Sequence, residues 1–395
     1  MKTIDQIAQF FNDSEYFTGS VKLNENLAKH TTMHVGGNAK LFLEPENEES
    51  LIFAIKELDA DVRRLTQIKS FFVLGGGSNV IISDSGLDAV ISTRKMNKIK
   101  FLTEGSEYTE SLIKREKLLN PEISLCSPKL CEEFKTLQID SGASWGSVIS
   151  FCKKNNLGGF ESFTGLSGTV GGALFMNATC FGLSACDNLL SVRYFDLRDG
   201  KIHEYQKIDS DWGYKKSPFQ SGIKEFDADE HRLTRMKNGD FKGQGPLGEG
   251  AGGNGEAIGA EGKAFPFSLP TAHCSLLISK IILSAKFSVK NGFDSEKSEK
   301  CISDRKEKGH FRSPSAGSAF KNDSERGIIA GKIIDECGLK GFSVGGAQIA
   351  PWHGNFIINP EQKACASDIK KLSDEVKKIV REKTGVELEN EILFI

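Results

Sequence analysis

Apolar residues recur every three or four positions in three segments, and this spacing predicts amphipathic helices. The segment nearest the C-terminus, residues 369–380, has Ser367 as its predicted N-cap and Gly385 as its predicted C-terminal stop. Residues 1–20 predict one more short helix and its exit. The helical sets are Leu51, Ala54, Ile55 and Leu58; Trp145, Val148, Ile149 and Cys152; and Ile369, Leu372, Val376, Ile379 and Val380.

Short apolar runs bounded by glycine and other turn residues predict strands between these helices. Residues 31–37 and 39–43 favour two strands around a glycine turn, and 71–74 favours a strand that leads directly into Gly75. Residues 386–394 alternate between apolar and acidic positions, which predicts a final strand with Glu391 on the face opposite Ile392 and Phe394. The remaining predicted strands, or short helical runs for the last two, are 80–82, 89–91, 276–283 and 285–289.

Two stretches interrupt the pattern. Residues 103–135 are charged and aperiodic, which indicates an insertion. Residues 239–262 hold ten glycines in 24 positions and show no apolar periodicity. Such a segment buries too little surface to offset its ordering entropy, so it predicts a mobile loop or disordered insert at a seam between domains.

Composition narrows the class of protein. A chain of 395 residues predicts roughly two or three domains. Lysine and arginine number 51 against 53 acidic residues, a net charge of -2, which disfavours a protein built to hold nucleic acid or an anionic membrane. No apolar run has the length of a membrane helix or a signal peptide. The nine cysteines form no C-x-x-C pair, so we expect neither a disulfide framework nor a metal site, and a reduced, cytoplasmic protein.

The first chemical motif is the run Gly75-Gly76-Gly77-Ser78-Asn79 directly after a predicted strand. Successive glycines let backbone N–H groups converge on an anion, and the missing side chains let a pyrophosphate approach closely. The run matches neither the dinucleotide fingerprint nor a P-loop. A plain glycine turn between two strands is the alternative for this motif alone.

A second glycine cluster spans residues 165–173 and is followed by Asn177. Apolar Phe163 and Phe175 flank it, which suits a backbone lying against a planar ligand. Two clusters together indicate one extended cofactor with a diphosphate and a ring system, held where the clusters lie close in space. Two purely structural turns remain the alternative.

A series of motifs in fixed order resembles the UDP-N-acetylenolpyruvoylglucosamine reductase family, flavoproteins that make UDP-N-acetylmuramate for bacterial peptidoglycan. The resemblance covers most of the chain outside the two inserts. It is closest to the branch without a substrate-clamping tyrosine, because no tyrosine follows Tyr214. The motifs occupy residues 31–37, 74–80, 142–145, 165–177, 214–219, 314–322, 338–341 and 388–391.

The resemblance implies an α+β fold: a vanillyl-alcohol-oxidase-type FAD-binding module of two subdomains, plus a C-terminal α/β substrate domain. The implied boundaries are 1–72 and 73–236 for the two subdomains, the second containing the insert at 103–135. A glycine-rich flexible insert follows at 237–264, and the substrate domain at 265–395. In the family, NADPH reduces FAD, and the reduced flavin passes hydride to the enolpyruvyl ether of a UDP-sugar.

The resemblance also assigns binding residues. For the substrate it implies Lys308, which matches a lysine that meets the UDP diphosphate, together with Asn322 and His353. For FAD it implies residues of both glycine clusters and one earlier threonine. These are Thr32, Gly75, Gly76, Gly77, Ser78, Asn79, Gly165, Gly168, Thr169, Gly171, Gly172 and Asn177.

Hydride addition to an enolpyruvyl group leaves negative charge beside a carboxylate, so the site needs preorganised positive charge and a placed acid. By motif match the proton donor would be Ser318, and Glu391 would help to polarise the substrate carboxylate or relay a proton. To act there, Glu391 needs burial or a like-charged neighbour that raises its pKa. The third catalytic position departs from the family pattern, because Lys215 stands where an arginine is expected, with Lys216 beside it. Lysine offers a point charge without the planar fork that grips a carboxylate.

Three hypotheses therefore stand. The first is the NADPH-dependent reductase. The second is an FAD-linked oxidase of a small alcohol or acid that shares the cofactor module. The third is a non-catalytic nucleotide-binding module, which the missing arginine and the inserts make less remote. For the first we expect a sugar-nucleotide substrate and a monomer or weak oligomer.

Overall fold

The protein is described here by a computed structural model that covers residues 2–63, 67–102, 134–220, 279–323 and 326–395. The insert predicted at 237–264, and that at 103–135 as far as residue 133, lie outside these ranges. The α-helices are α1 (Ile4–Asp13), α2 (Glu48–Arg63), α3 (Trp145–Lys154), α4 (Val170–Met176), α5 (Ser295–Glu307), α6 (Ala330–Glu336) and α7 (Ala366–Thr384). The strands are β1 (Gly19–Asn26), β2 (Asn38–Pro45), β3 (Phe71–Leu74), β4 (Val80–Ile81), β5 (Leu87–Ser92), β6 (Ile99–Leu102), β7 (Phe134–Asp140), β8 (Leu157–Gly158), β9 (Thr179–Cys180), β10 (Leu183–Ser184), β11 (Leu189–Asp196), β12 (Lys201–Gln206), β13 (Lys280–Asn291), β14 (Ser315–Ser318), β15 (Ser343–Val344), β16 (Ala347–Ile349), β17 (Phe356–Ile358) and β18 (Leu393–Phe394).

The first sheet has the strand order β1-β2-β5-β3, in which β2, β5 and β3 run parallel. Helices α1 and α2 bury their apolar stripes on it, so Phe11, Leu51 and Leu58 share one core with Leu43. A capping box at Thr3 begins α1. Because β3 ends at Leu74, the sheet delivers the first glycine run at the carboxyl end of a parallel strand.

The second sheet is antiparallel, with the order β12-β11-β13-β7-β6 and β8 paired to β13. Trp145 of α3 and Leu174 of α4 are fully buried against its core residue Phe287. Ser144 caps α3 by accepting a hydrogen bond from Ser147 N. The second glycine run follows α3 and extends into the first turn of α4. Both helices pack on this sheet, and the sheet thereby fixes the position of the run.

The C-terminal part combines the antiparallel sheet β14-β17-β16-β15 with α7. Gly385 ends α7 in the left-handed conformation, as predicted. Ser367 is not the N-cap, which is Cys365. The helix begins earlier because the Asp84 carboxylate, from a distant part of the sequence, accepts hydrogen bonds from the first amides, Ala366 N (2.7 Å) and Ser367 N (3.0 Å).

The strand predicted at 31–37 is wrong. Its polar groups are bound elsewhere: Thr32 N donates to Gly77 O (3.0 Å), and the Thr31 hydroxyl donates to Val35 O (3.0 Å). His34 has a φ of 59°, outside the range of a strand. The segment is thus a support for the first glycine run.

The final strand is shorter than predicted. Only Leu393–Phe394 is extended in a sheet, as β18 parallel to β4. The preceding backbone bonds irregularly to the loop after β14, with Lys321 N donating to Glu389 O (2.8 Å). The two runs predicted at 276–283 and 285–289 form one strand, β13, from residue 280 onward.

These elements confirm the α+β class. Strands β3 and β5 belong to the first sheet, and β13 belongs to the second. The domain boundaries stay a prediction. The six described cysteines are free. Across the described ranges, no helix combines the length and apolar composition needed to span a membrane.

Replacing Asp84 by alanine removes the acceptor for two amides at the start of α7. We expect the free energy of unfolding to fall by about 0.5–2 kcal/mol, as for loss of an N-cap, measured by urea denaturation. Ser85→Ala is the control, because its hydroxyl bonds only within the turn, to Ser83 Oγ. Equal stability of the two variants would contradict a capping role for Asp84.

Candidate active site

The two glycine runs, far apart in sequence, touch in space. A Cβ atom built on Gly76 would lie 2.4 Å from Gly168 Cα, and one built on Gly168 would lie 2.6 Å from Ser78 Oγ. The Ser78 hydroxyl donates to Ser167 O at 3.4 Å. Glycine is therefore required at residue 76 for the close approach of the two backbones, and the predicted juxtaposition is confirmed.

The first glycine run has bonded carbonyls and unbonded amides among the described residues. Its carbonyls are engaged, since Gly77 O accepts from Thr32 N and Gly76 O accepts from Arg94 Nη2 (2.7 Å). The N–H groups of Gly76, Gly77 and Ser78 donate no hydrogen bond to any described residue. Successive unbonded amides with a guanidinium beside them fit a pyrophosphate.

The second glycine run is held rigidly. Gly171 N donates to Ser141 O (2.8 Å), and Trp145 N donates to Gly168 O (3.4 Å). Thr169 caps α4, and its hydroxyl would lie 2.6 Å from a Cβ atom on Gly75. The two runs thus meet backbone to backbone at Gly76 and Gly168, and bare backbone of this kind is what a planar cofactor needs for close approach.

The backbone of Glu391 is hydrogen-bonded to the first glycine run and to residues 314–322, the segment that contains Ser318 and is called the serine loop below. Glu391 N donates to Ala319 O (2.8 Å), next to Ser318. The Asn79 side chain at the end of the first glycine run donates to Glu391 O (3.0 Å), and Asn79 O accepts from Leu393 N. Two predicted catalytic residues and the predicted cofactor loop are therefore brought together.

Lys215 joins them through an ion pair. Its Nζ lies 2.6 Å from Glu391 Oε1, and the two side chains are only 12% and 11% exposed. Burial raises the pKa of Glu391, and the attraction of Lys215 and Lys321 offsets this only in part. The structure thus turns Lys215 toward the site, whereas Lys216 is exposed.

Ser318 lies in a backbone that neighbouring groups hold firmly. Gly317 precedes it with a φ of 77°, at a register shift between β14 and β17. Asn355 clamps Phe320, two residues further on, because its Oδ1 accepts from Phe320 N and its Nδ2 donates to Phe320 O, both at 2.9 Å. The Ser318 hydroxyl has no hydrogen-bond partner among the described residues, which leaves it free for a ligand. Asn355 was not predicted from the sequence, because a single asparagine in a short loop carries no distinctive signal.

Thr32 connects the serine loop to the first glycine run. Its hydroxyl donates to Ser315 O (2.7 Å), while its amide donates to Gly77 O. Within the described structure these bonds link the predicted cofactor loop to β14, the strand that carries Ser318. Its role as a direct FAD ligand stays a prediction.

The three predicted substrate residues lie in different settings. Lys308 ends α5, is 56% exposed and pairs with Asp304 at 2.8 Å. His353 stacks on Phe356 with ring centroids 4.1 Å apart, and burial lowers its pKa. Asn322 Oδ1 accepts from Ala330 N at the start of α6 (3.0 Å). Their contacts with substrate stay predictions.

Comparisons with known proteins agree with this geometry. Residues 309–395 match the family model "UDP-N-acetylenolpyruvoylglucosamine reductase, C-terminal domain", and residues 124–206 match "FAD binding domain". The UDP-N-acetylenolpyruvoylglucosamine reductase of Treponema denticola is 33% identical over 95% of this chain and 94% of its own length. That of Borreliella burgdorferi is 32% identical over 94% of this chain and 93% of its own length.

The chain belongs to the UDP-N-acetylenolpyruvoylglucosamine reductase family. A solved reductase of this family from Thermus caldophilus shares the fold, with a TM-score of 0.57 at 24% identity, covering 96% of this chain and 99% of its own. Membership favours the reductase hypothesis over the FAD-linked oxidase and over the non-catalytic module.

A buried arginine lies behind the second glycine run, and sequence reasoning, which singled out Lys308 in the same run of charges, missed it. Arg305 Nε donates to Thr164 O (3.0 Å) and Nη2 contacts Cys180 Sγ, while a Cβ atom on Gly165 would lie 2.9 Å from Arg305 Cδ. Among the described residues no carboxylate forms an ion pair with this guanidinium. The guanidinium lies over the Phe181 ring, 5.4 Å from its centroid. A buried cation with no carboxylate partner fits an anionic or electron-rich ligand.

The Gly76→Ala variant tests the contact between the glycine runs. The new methyl group would overlap Gly168 Cα, so the runs must separate and we expect the purified protein to lose most of its FAD. The measurement is flavin per protein by absorbance, with FAD affinity by fluorescence. Gly146→Ala in α3 is the control, because its Cβ atom meets nothing nearer than 3.8 Å. Full flavin content in Gly76→Ala would contradict the fit.

Proposed function

We propose that this protein reduces the enolpyruvyl ether of UDP-N-acetylglucosamine enolpyruvate to UDP-N-acetylmuramate, with FAD bound at the glycine runs and NADPH as reductant. The observation that carries the proposal is the buried Lys215–Glu391 pair, tied by backbone hydrogen bonds to the Ser318 loop and by Asn79 to the first glycine run. Family membership supports the same reaction.

FAD, when bound, supplies hydride transfer between the two substrates. The free amides of Gly76, Gly77 and Ser78 would hold its diphosphate, and Arg94 adds positive charge at Gly76 O. The side-chain-free surface around Gly168 would hold its ring system. Arg305, behind Gly165, would place a fixed cation next to that ring system.

Lys215 would stabilise the negative charge that develops beside the substrate carboxylate. A preorganised cation in a water-poor site lowers the energy of a developing enolate far more than one in bulk water. Its side chain is held against Glu391 and is mostly buried, so little reorganisation is needed when charge appears. The proton would reach the adjacent carbon from the Ser318 hydroxyl, which no described residue engages.

Glu391 would act in its protonated form, donating a hydrogen bond to the substrate carboxylate. Burial already raises its pKa, and a second carboxylate at the site raises it further by like-charge repulsion. Lys215 opposes this shift and so sets how much of the acid form exists at neutral pH.

The chain's surroundings follow from this chemistry. We propose a monomer or weak oligomer in the cytoplasm, acting on a sugar nucleotide without nucleic acid. The near balance of 51 basic and 53 acidic residues supports the last point.

The central experiment is anaerobic. We expect the purified protein to be yellow, to lose its absorbance near the flavin band on addition of NADPH, and to regain it on addition of the enolpyruvyl sugar nucleotide, with UDP-N-acetylmuramate detected by mass spectrometry. UDP-N-acetylglucosamine, which lacks the enolpyruvyl group, is the control. Bleaching without recovery would contradict the proposed substrate.

Lys215→Ala tests the catalytic cation. Removing one preorganised stabilising group typically costs about 10²–10³ in kcat, and we expect a loss of that order in steady-state assays. Lys216→Ala is the matched control, because this neighbouring lysine is exposed, and its kcat should stay within about twofold of wild type. Equal effects of the two substitutions would exclude a specific role for Lys215.

The pH dependence tests Glu391. If its acid form is active, kcat falls as pH rises through a pKa above the usual value of glutamic acid. In Lys215→Ala the carboxylate loses the attraction that lowers its pKa, so this limb moves to higher pH. Glu391→Gln should abolish the limb. A shift to lower pH in Lys215→Ala would refute the role of the protonated carboxyl.

A further inference from the structure

Asn177 lies at the junction between the second glycine run and the turn that carries Lys215. It ends α4 in the left-handed conformation, with φ 41° and ψ 57°, and is 3% exposed. Both ends of its amide are engaged, because Nδ2 donates to Gly213 O (2.8 Å) and Oδ1 accepts from Cys186 N (3.3 Å). A buried amide bonded at both ends fixes the relative positions of the segments it joins.

The turn after Gly213 carries Lys215 in an unusual backbone conformation. Gly213 and Lys216 exchange two backbone hydrogen bonds, 3.2 and 3.1 Å long, which close the turn around Tyr214 and Lys215. Lys215 itself has a φ of 54°, and its carbonyl accepts from Gln220 Nε2 (3.0 Å). A long side chain in the left-handed region is energetically unfavourable, and this conformation persists only where surrounding contacts hold it.

Side-chain hydrogen bonds hold this turn against the end of α4. Asn177 bonds its first carbonyl, and the buried Ser217 hydroxyl bonds Phe175 O at 2.7 Å. Both anchors lie at the carboxyl end of α4, the helix that begins at Thr169 and Gly171 in the second glycine run. The helix therefore links the surface that would hold the flavin to the turn that presents Lys215.

We propose that Asn177 is a positioning residue that holds the Gly213–Lys216 turn so that Lys215 reaches Glu391, an inference that rests on the proposed function. Asparagine suits the position for two reasons. It tolerates the left-handed backbone better than most residues with a side chain, and its amide supplies a second donor to Gly213 O, which also accepts from Lys216 N. The sequence-based role of Asn177 as an FAD ligand is a separate prediction.

Asn177→Gly is the principal variant, because glycine keeps the left-handed backbone and removes both side-chain hydrogen bonds. A misplacement of the order of 1 Å at a catalytic group costs up to about a hundredfold in rate. We expect kcat, measured at saturating FAD, to fall about ten- to a hundredfold, while KM stays within about twofold. A variant with wild-type kcat overturns the proposal.

The double variant Asn177→Gly/Lys215→Ala decides whether Asn177 acts through Lys215. If it does, the double variant is no slower than Lys215→Ala, because the residue being positioned is already gone. If the two losses multiply, Asn177 acts independently of Lys215 and the proposal fails. Asn156→Gly is the matched control: Asn156 is also left-handed after a helix, with Oδ1 bonded to Phe293 N, and its kcat should not change.

A readout without turnover separates this proposal from the proposed reaction. Reductive methylation of the flavin-loaded protein, followed by peptide mass spectrometry, measures how freely Lys215 is exposed. We expect slow modification in wild type, faster modification in Asn177→Gly, and no change in Asn156→Gly. Unchanged modification of Lys215 in Asn177→Gly overturns the proposal, whereas a wild-type protein inactive on the enolpyruvyl nucleotide overturns the reaction and not the positioning.

Asn177→Asp covers the case in which the glycine variant does not fold. Aspartate keeps the acceptor for Cys186 N but replaces the Nδ2 donor by an oxygen facing Gly213 O. The expected result is the same loss of kcat and the same faster methylation of Lys215. Wild-type values for both overturn the proposal.

Discussion

The 2.6 Å ion pair between Lys215 and Glu391 is the interaction on which the site depends. Withdrawing two charges from water costs several kcal/mol for each ion, and their attraction repays this only when the geometry is good. Such a pair is therefore weak evidence for stability and stronger evidence for function. Here the attraction of Lys215 does not fully offset the cost of burying the Glu391 carboxylate, because the pKa of Glu391 is still raised with Lys215 in place. That imbalance leaves the carboxyl responsive to the charge of a bound substrate.

Three buried or partly buried asparagine side chains hold the backbones around this pair. Asn79 bonds Glu391 O, Asn177 bonds the turn of Lys215, and Asn355 clamps the residue after Ala319 in the serine loop. Each of these amides bonds a stretch of irregular backbone. Such a stretch lacks the regular hydrogen bonds of a helix or a sheet. An amide can donate and accept at once, which lets one side chain satisfy groups that strands and helices would otherwise satisfy. The site is thus built from loops, yet its position is set as firmly as that of a sheet.

The sequence predicts what depends on neighbours along the chain. The apolar periodicity of α2, α3 and α7, the stop at Gly385 and the glycine runs all depend on local spacing, and the structure confirms them. The strand at 31–37 and the long final strand fail because their amides bond to the distant residues Gly77 and Ala319. Arg305 and Asn355 were missed for the same reason, since only the folded chain shows what surrounds them. The predicted catalytic residues came from ordered motifs of the family, which carry long-range information that periodicity lacks.

The lysine at residue 215 raises the question of how its side chain is oriented. An arginine at this position would grip a carboxylate with two parallel N–H donors and would fix its orientation by itself. A lysine ammonium has no such fork, so orientation must come from elsewhere. The left-handed backbone of Lys215, the closed turn around it and its anchor on Asn177 supply that constraint through the main chain. On the proposed mechanism the substitution moves directional control from the side chain of residue 215 to the turn beneath it, and this turn holds the ammonium beside Glu391, so that little reorganisation is needed when charge develops.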